Sequence, residues 1–250
     1  MEIKPNNIYL GDCLELMKDI KDKSIDMILC DLPYGWGTTQ NKWDSVIDLQ
    51  LLWKQYERII KTNGAIVLTA QTPFDKVLGT SNLKILKYEW IWQKTQATGF
   101  LNAKKMPLKN HENILIFYKK PPTYNPQFEK GKPYIAKSNA SKNKGNYGKF
   151  KDNLTVNDGF RYPKSVLNFT NGGKTYHPTQ KPVELFEYLI KTHSNENDIV
   201  LDNCIGSGTT AIAALNTRRF FIGFELDKGY YDIACKRVEE HKKVITNVTQ

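Results

Sequence analysis

The sequence predicts an α/β chain built on a doubly wound, mostly parallel sheet, with an inserted lysine-rich region. Two observations carry the α/β reading. Short apolar runs at residues 8–10, 25–30, 65–70, 198–202 and 220–225 read as buried strands, and segments of helical spacing alternate with them. A third observation marks the insertion: from residue 121 to about 162 apolar periodicity fades, while Lys, Asn, Gly and Ser dominate.

Taken in order, the strand at 8–10 is ended by Gly11-Asp12, and residues 14–20 have helical spacing. The strand at 25–30 runs directly into Asp31-Leu32-Pro33-Tyr34, and residues 35–41 form a glycine-containing loop. Leu51, Leu52, Tyr56, Ile59 and Ile60 mark one face of a helix expected to end at Asn63-Gly64. Strand candidates follow at 65–70, 88–92 and 113–118. Within the insertion, residues 138–149 approach low complexity and are expected to form a mobile loop. Regular structure resumes with a helix over 182–191, its proline at a favoured first-turn position. The C-terminal part is a strand at 198–202, a glycine loop, a helix starting at 211, a strand at 220–225 and a helix over 228–242.

A chain of 250 residues is long enough for one large domain with an inserted lobe. Its apolar runs are too short to span a membrane. Met1-Glu2-Ile3-Lys4-Pro5 lacks the apolar core of a signal peptide, so a cytoplasmic location without membrane contact is expected. Cys13, Cys30, Cys204 and Cys235 are widely spaced, form no C-x-x-C pair and read as buried thiols, with no metal site. The net charge of +10 points to a polyanionic partner. It is concentrated: residues 119–151 hold nine lysines and a single acid, Glu129, with aromatic rings interleaved through the region. Lysines can track phosphates while flat rings stack on bases.

Two stretches carry chemistry. In Asp31-Leu32-Pro33-Tyr34 a carboxylate, a stiff peptide and a ring expected to be exposed sit at a strand's carboxyl end. The carboxylate and a neighbouring carbonyl can accept two N–H bonds from an exocyclic amine while the ring stacks on a heterocycle. Taken alone, the stretch reads equally as a turn. The second, Gly206-x-Gly208-x-x-Ala211, follows a strand, opens a helix and has Glu225 at the end of the next strand, as in a nucleotide site. No Lys-Ser/Thr follows the glycines, which argues against a Walker-type phosphate loop. Asp202 and Glu225 would repel a pyrophosphate but suit a ribose diol and a ligand carrying an ammonium and a sulfonium. That favours S-adenosylmethionine over a dinucleotide.

Asp31-Leu32-Pro33-Tyr34 resembles the catalytic motif of the DNA amino-methyltransferases, usually Asp-Pro-Pro-Tyr. Asp202-Asn203-Cys204-Ile205-Gly206-Ser207-Gly208-Thr209 is similar to their cofactor loop, His177-Pro178-Thr179-Gln180-Lys181-Pro182 to their third signature, and Gly11-Asp12-Cys13 to their adenine-binding turn. The catalytic motif precedes the cofactor loop, a permuted order that resembles the β group. Leu32 stands where the family has its first proline, and Asn203 where proline is usual in the loop.

The resemblance implies a sheet of the S-adenosylmethionine-dependent methyltransferase type. It implies a catalytic part over residues 1–120, a target-recognition region over 121–170 and a cofactor-binding part over 171–250. Asp12 and Cys13 would lie at the cofactor's adenine, Glu225 at its ribose, and Asp202 with Gly206, Ser207, Gly208 and Thr209 at its methionine part. Lys181 and Thr179, beside His177, would serve the carboxylate, and Asp31 would border both cofactor and substrate. Trp92 and Lys94 resemble the end of one family strand and His111-Glu112-Asn113 the start of another; His111 itself reads as a strand-edge residue. The expected partner is double-stranded DNA, contacted by Lys130, Lys132, Lys142, Lys144, Lys149 and Arg161, with Trp36 or Trp43 as a wedge beside the flipped base. Homodimers are frequent in the group.

The expected reaction is methylation of adenine N6 in a restriction-modification setting, since an initial Asp is more typical of the adenine enzymes. Cytosine N4 is the alternative, followed by RNA or protein amino groups. A non-enzymatic nucleic-acid-binding module would leave the glycine loop and Asp31 unused. Cytosine C5 is set aside, because no cysteine follows a proline.

Overall fold

The computed structural model describes residues 2–35, 46–138, 153–171 and 180–248. The main sheet has eight strands in the order β1 (Asn7–Leu10), β12 (Phe220–Glu225), β11 (Ile199–Asp202), β2 (Ile25–Asp31), β3 (Ile60–Ala70), β5 (Lys109–Phe117), β4 (Leu86–Thr98) and β10 (Val166–Phe169). All neighbours pair parallel except β3 with β5 and β5 with β4, so β5 alone runs against the other strands of this sheet. The mixed, mostly parallel sheet expected from the alternation is present.

Helices α1 (Cys13–Leu16), α2 (Leu49–Ile59) and α3 (Phe74–Ser81) supply one buried cluster, with Cys13, Leu52, Tyr56, Ile59, Phe74 and Leu78. Helices α4 (Val183–His193), α5 (Thr209–Asn216) and α6 (Lys228–Val248) supply another, with Leu185, Phe186, Ile190, Ala211, Ala214 and Val238. Strand β2 lies between them. Ile28 and Cys30 join the first cluster and Met27 and Leu29 the second, as two-residue alternation requires. A strand covered on both faces reads as an apolar run, which is why 25–30, apolar but for Asp26, is legible in the sequence.

The expected helix end at Asn63-Gly64 is corrected. Helix α2 stops at Ile59, and β3 already begins at Ile60. Gly64 is a strand residue whose added Cβ would stand 2.7 Å from the carbonyl oxygen of Asp26, so close backbone approach, not a helix cap, calls for glycine. Helix α3 has no counterpart among the sequence expectations.

Residues Pro126–Lys164 form a second, smaller unit, separate from Met1–Asn125 with Ser165–Gln250. It contains two antiparallel ladders, β6 (Glu129–Lys130) with β9 (Phe160–Arg161) and β7 (Tyr134–Ser138) with β8 (Asn153–Asn157). Arg161 lies 4.6 Å from the Tyr134 ring centroid and donates to the Asn157 side chain and the Lys132 carbonyl. Rings here therefore help to fold the unit. The loop expected at 138–149 lies outside the described residues apart from its first member. Among the described residues, no helix is long and apolar enough to cross a membrane.

Candidate active site

Parallel strands place their carboxyl ends on one rim of a sheet, where open α/β folds build ligand crevices. Gly11 follows β1, Asp31 ends β2, Asp202 ends β11 and Glu225 ends β12. Strands β2 and β11 are neighbours, with Ile28 paired to Leu201, so the two chemistry-bearing stretches meet despite their separation in sequence. They line one cavity of about 610 Å³, a size that suits a nucleoside-bearing ligand. Asp12, Cys13, Leu32, Pro33, Tyr34, Lys181, Gly206, Ser207, Thr209 and Glu225 also line it.

Asp31 is held by three side-chain donors. Its Oδ1 accepts from the Tyr34 hydroxyl at 2.8 Å and from the Thr69 hydroxyl, and its Oδ2 accepts from Lys181 Nζ at 2.5 Å. Oδ1 is saturated by two donors, whereas Oδ2 retains a lone pair. Behind it, Glu112 Oε2 lies 3.4 Å from Lys181 Nζ, and Glu112 Oε1 accepts from Lys94 Nζ at 2.5 Å. Burial alone would lower the Lys181 ammonium, but Asp31 and Glu112 outweigh it and hold it above its ordinary value. Burial would likewise raise Glu112; Lys181 and Lys94 hold it below the usual carboxylate range. The result is a buried row of alternating charge, Lys94–Glu112–Lys181–Asp31.

The exposed ring expected at Tyr34 is corrected. Tyr34 is 8% exposed, stacks on Phe74 with centroids 5.5 Å apart, and has Lys181 Nζ 5.5 Å from its centroid. Burial, reinforced by Asp31 and Glu112, keeps its phenol well above the ordinary value, so the hydroxyl stays a donor. Leu32, in the place of the usual proline, is 2% exposed and packs into the core. Packing thus fixes a side chain where a ring would otherwise stiffen the backbone.

The glycine loop is equally constrained. Gly206 (φ 54°) and Gly208 (φ 86°) take left-handed conformations that favour glycine, and Gly208 precedes the N-terminus of α5. Asp202 Oδ1 accepts from Cys204 N–H at 3.0 Å and Oδ2 from the Thr210 hydroxyl. Asp202 is 3% exposed and no described lysine or arginine forms an ion pair with it. Burial, against these donors, raises its carboxyl to about 6. Glu225 Oε2 accepts from Gly206 N–H at 2.8 Å and Oε1 from Asp227 N–H at 2.9 Å. Asn203 accepts from the Tyr56 hydroxyl and donates to Cys13 Sγ at 3.5 Å, which ties the loop to α1 and α2. A proline there could make neither bond. Asp12 Oδ1 caps α1 through Leu14 N–H at 2.7 Å.

This donor set fits S-adenosylmethionine. A buried carboxylate without a protein cation suits the ammonium, Glu225 can accept from a diol, and Ser207 and the α5 N-terminus can meet a carboxylate. Lys181, expected at that carboxylate, instead engages Asp31 and Glu112.

Sequence reasoning misses Thr69 and Glu112 as site residues. Thr69 pairs with Asp31 only through strand register and carries no sequence signal. Glu112 carries one, an acid at the head of a strongly apolar strand. His111 lies at the β4–β5 edge, opposite Gln93. Lys130 and Lys132 are exposed, whereas Arg161 is half-buried and bonded within its own unit. Trp36, Trp43, Lys142, Lys144, Lys149, His177 and Thr179 lie outside the described residues.

Residues 25–236 match the family model of the N6/N4 DNA methylases. The chain is 30% identical over 260 residues to the type II methyltransferase M.BglII of Bacillus subtilis, covering 92% of this chain and 68% of that one. It is 27% identical to M.HpaI of Haemophilus parainfluenzae, covering 93% and 74%. Among solved structures, the M1.HpyAVI–SAM complex superposes with a TM-score of 0.62 at 26% identity, over 92% of this chain and 98% of that one. The cytosine-N4-specific PvuII DNA methyltransferase shares the fold at 16% identity, with a TM-score of 0.69 over 98% and 94% of the two chains. With its motifs gathered on one rim of such a sheet, this chain belongs to the DNA amino-methyltransferase family and is an S-adenosylmethionine-dependent DNA methyltransferase.

Proposed function

We propose that the protein methylates adenine N6 at a specific site in double-stranded DNA, acting on a base extruded from the duplex. The observation that carries this reading is the bonding of Asp31: Oδ1 is filled by Tyr34 and Thr69, and Oδ2 keeps one lone pair directed by a fixed carboxylate. S-adenosylmethionine, when bound, supplies an electrophilic methyl group.

An exocyclic amine is a poor nucleophile while its lone pair is delocalised into the ring. Asp31 Oδ2 and the carbonyl of Leu32 accept its two N–H bonds, which favours a pyramidal nitrogen and localises the lone pair. Lys181 fixes the orientation of Asp31, and Glu112 with Lys94 fixes Lys181. Tyr34 serves as a wall of the base pocket and as a donor to Asp31. Asp202 takes the cofactor's ammonium, Glu225 its ribose, Asp12 and Cys13 border its adenine, and the loop from Gly206 to Thr209 holds its carboxylate. Extrusion is required because N6 is inaccessible to an in-line donor inside a stacked duplex. The exposed Lys130 and Lys132, with the lysine-rich stretch around them, are assigned to the phosphate backbone.

The initial Asp of the catalytic motif supports adenine over cytosine N4. Sequencing of modified bases in a host expressing the protein tests this. N6-methyladenine within one short sequence supports the reading; N4-methylcytosine transfers the same geometry to the alternative base.

A further inference from the structure

The turn joining β4 to β5 is built unlike the rest of the cavity rim. Within nine residues it carries Phe100, Leu101, Met106 and Leu108, with exposures of 69%, 101%, 57% and 38%. Single exposed leucines such as Leu83 are ordinary on a soluble surface, but a cluster of this kind calls for a partner. The turn is nonetheless folded. Gly99 adopts φ 90°, Asn102 N–H donates to the Gly99 carbonyl, and Lys105 and Met106 N–H both donate to the Asn102 carbonyl. Lys104, Lys105 and Lys109 flank the apolar residues, and residues 98–110 contain no acid.

Its root is the active site. Thr98 and Lys94, on the strand entering the turn, line the same cavity as Asp31. On the strand leaving it, Lys109 Nζ donates to Gln71 Oε1 at 2.5 Å, and Gln71 lines the cavity too.

We propose that this turn is a wedge that enters the DNA beside the target base. Phe100 and Leu101 fill the gap left in the base stack, and the exposed Lys104 and Lys105 meet the adjoining phosphates. The inference rests on the base-extrusion reading above. Charge selects the occupant: an apolar tip framed by lysines and free of acids matches a stacked polyanion. Intercalated apolar side chains are a recurring means of holding a duplex open.

The test uses the full-length protein and two duplexes spanning the mapped modification site. In one the target base is paired; in the other it faces a mismatch that weakens its stacking and pairing. The variant Phe100→Ala/Leu101→Ala should lose ~ten-fold or more in kcat/KM on the paired duplex but under about three-fold on the mismatched one, because the mismatch already lowers the cost of extrusion. S-adenosylmethionine affinity should not move. Equal losses on both duplexes, or no loss on either, would overturn the wedge. So would a change of oligomeric state in light scattering, which would assign the turn to contact with a second copy. If the unmodified protein gains nothing in kcat/KM from the mismatch, the base-extrusion reading itself fails; if it gains and the variant behaves identically on both duplexes, only the wedge does.

Discussion

Asp31 and Asp202 close two adjacent parallel strands, β2 and β11, yet their electrostatic situations are opposite. Asp31 has its counter-cation built in: Lys181 lies 2.5 Å away and is braced by Glu112. Asp202 has only neutral donors, a hydroxyl, a peptide N–H and the Cys30 thiol, and burial raises its carboxyl to about 6. A carboxylate compensated in advance is a fixed tool whose orientation does not depend on ligand. A buried one left uncompensated is a seat for a cation that has yet to arrive. On the proposed mechanism the two acids divide the work, one positioning the nucleophile and the other gripping the cofactor.

The largest effect that sharpens this division falls on Asp31. Asp31→Ala should lower the single-turnover methyl-transfer rate by about 10³-fold, in line with the removal of one preorganised polar group at a reacting centre. Calorimetry should find cofactor affinity largely kept. A near-normal rate would break the assignment.

Asp202 should behave in the reverse manner. Its folded carboxyl titrates near 6 against an ordinary 3.8, so the folded chain binds more protons than the unfolded chain between these values. The contribution of Asp202 to ligand-free stability is therefore full below about pH 4 and is lost as pH rises through 6, by up to roughly 3 kcal/mol. Asp202→Asn should raise the ligand-free Tm at neutral pH, by about 2–4 °C for each kcal/mol recovered, and should weaken cofactor binding. Because the cofactor's ammonium needs the ionised form, wild-type affinity should fall about ten-fold per pH unit below 6. In Asp202→Asn that slope should vanish; persistence of the slope would move the titration to another group.

Glu112 comes next. Glu112→Gln leaves Lys94 and Lys181 facing each other inside the fold, and breaking such a buried pair costs about 3–5 kcal/mol. Thermal unfolding should register that destabilisation. The double variant Glu112→Gln/Lys94→Met removes the orphaned ammonium and should regain most of the Tm. If kcat nevertheless stays low with KM for DNA unchanged, Glu112 acts by positioning Lys181 and Asp31. Full recovery of kcat would make its role structural only.

The smallest effect tests the second unit. Lys130→Gln/Lys132→Gln should reduce the slope of log affinity for DNA against log salt by about 0.9 for each phosphate that is no longer neutralised. An unmoved slope would take those two lysines off the DNA surface.

Local pattern and the identity of ligand-bearing turns are legible in the sequence. Strands 25–30 and 220–225 are readable because burial on both faces demands mostly apolar runs, with Asp26 and Glu225 the exceptions. The glycine loop is readable because Gly206 and Gly208 occupy left-handed conformations. What depends on register is not readable. Thr69 reaches Asp31 because β3 pairs with β2 in one frame, and Glu112 reaches Lys181 because β5 inserts antiparallel beside β3. The burial of Tyr34 escapes the sequence for the same reason, since Phe74 belongs to a helix that the apolar pattern does not reveal. The misplaced end of α2 arises from Gly64, which looks like a cap but answers to the Asp26 carbonyl across the sheet.

On the proposed mechanism a methyl group passes to an adenine amino nitrogen held by Asp31. Duplex DNA incubated with the protein and S-adenosylmethionine deuterated at its methyl, then digested to nucleosides and analysed by mass spectrometry, tests that most directly. The expected product is deoxyadenosine carrying the labelled methyl at N6, absent with Asp31→Ala. Label on deoxycytidine, or label on adenine undiminished in Asp31→Ala, would contradict it.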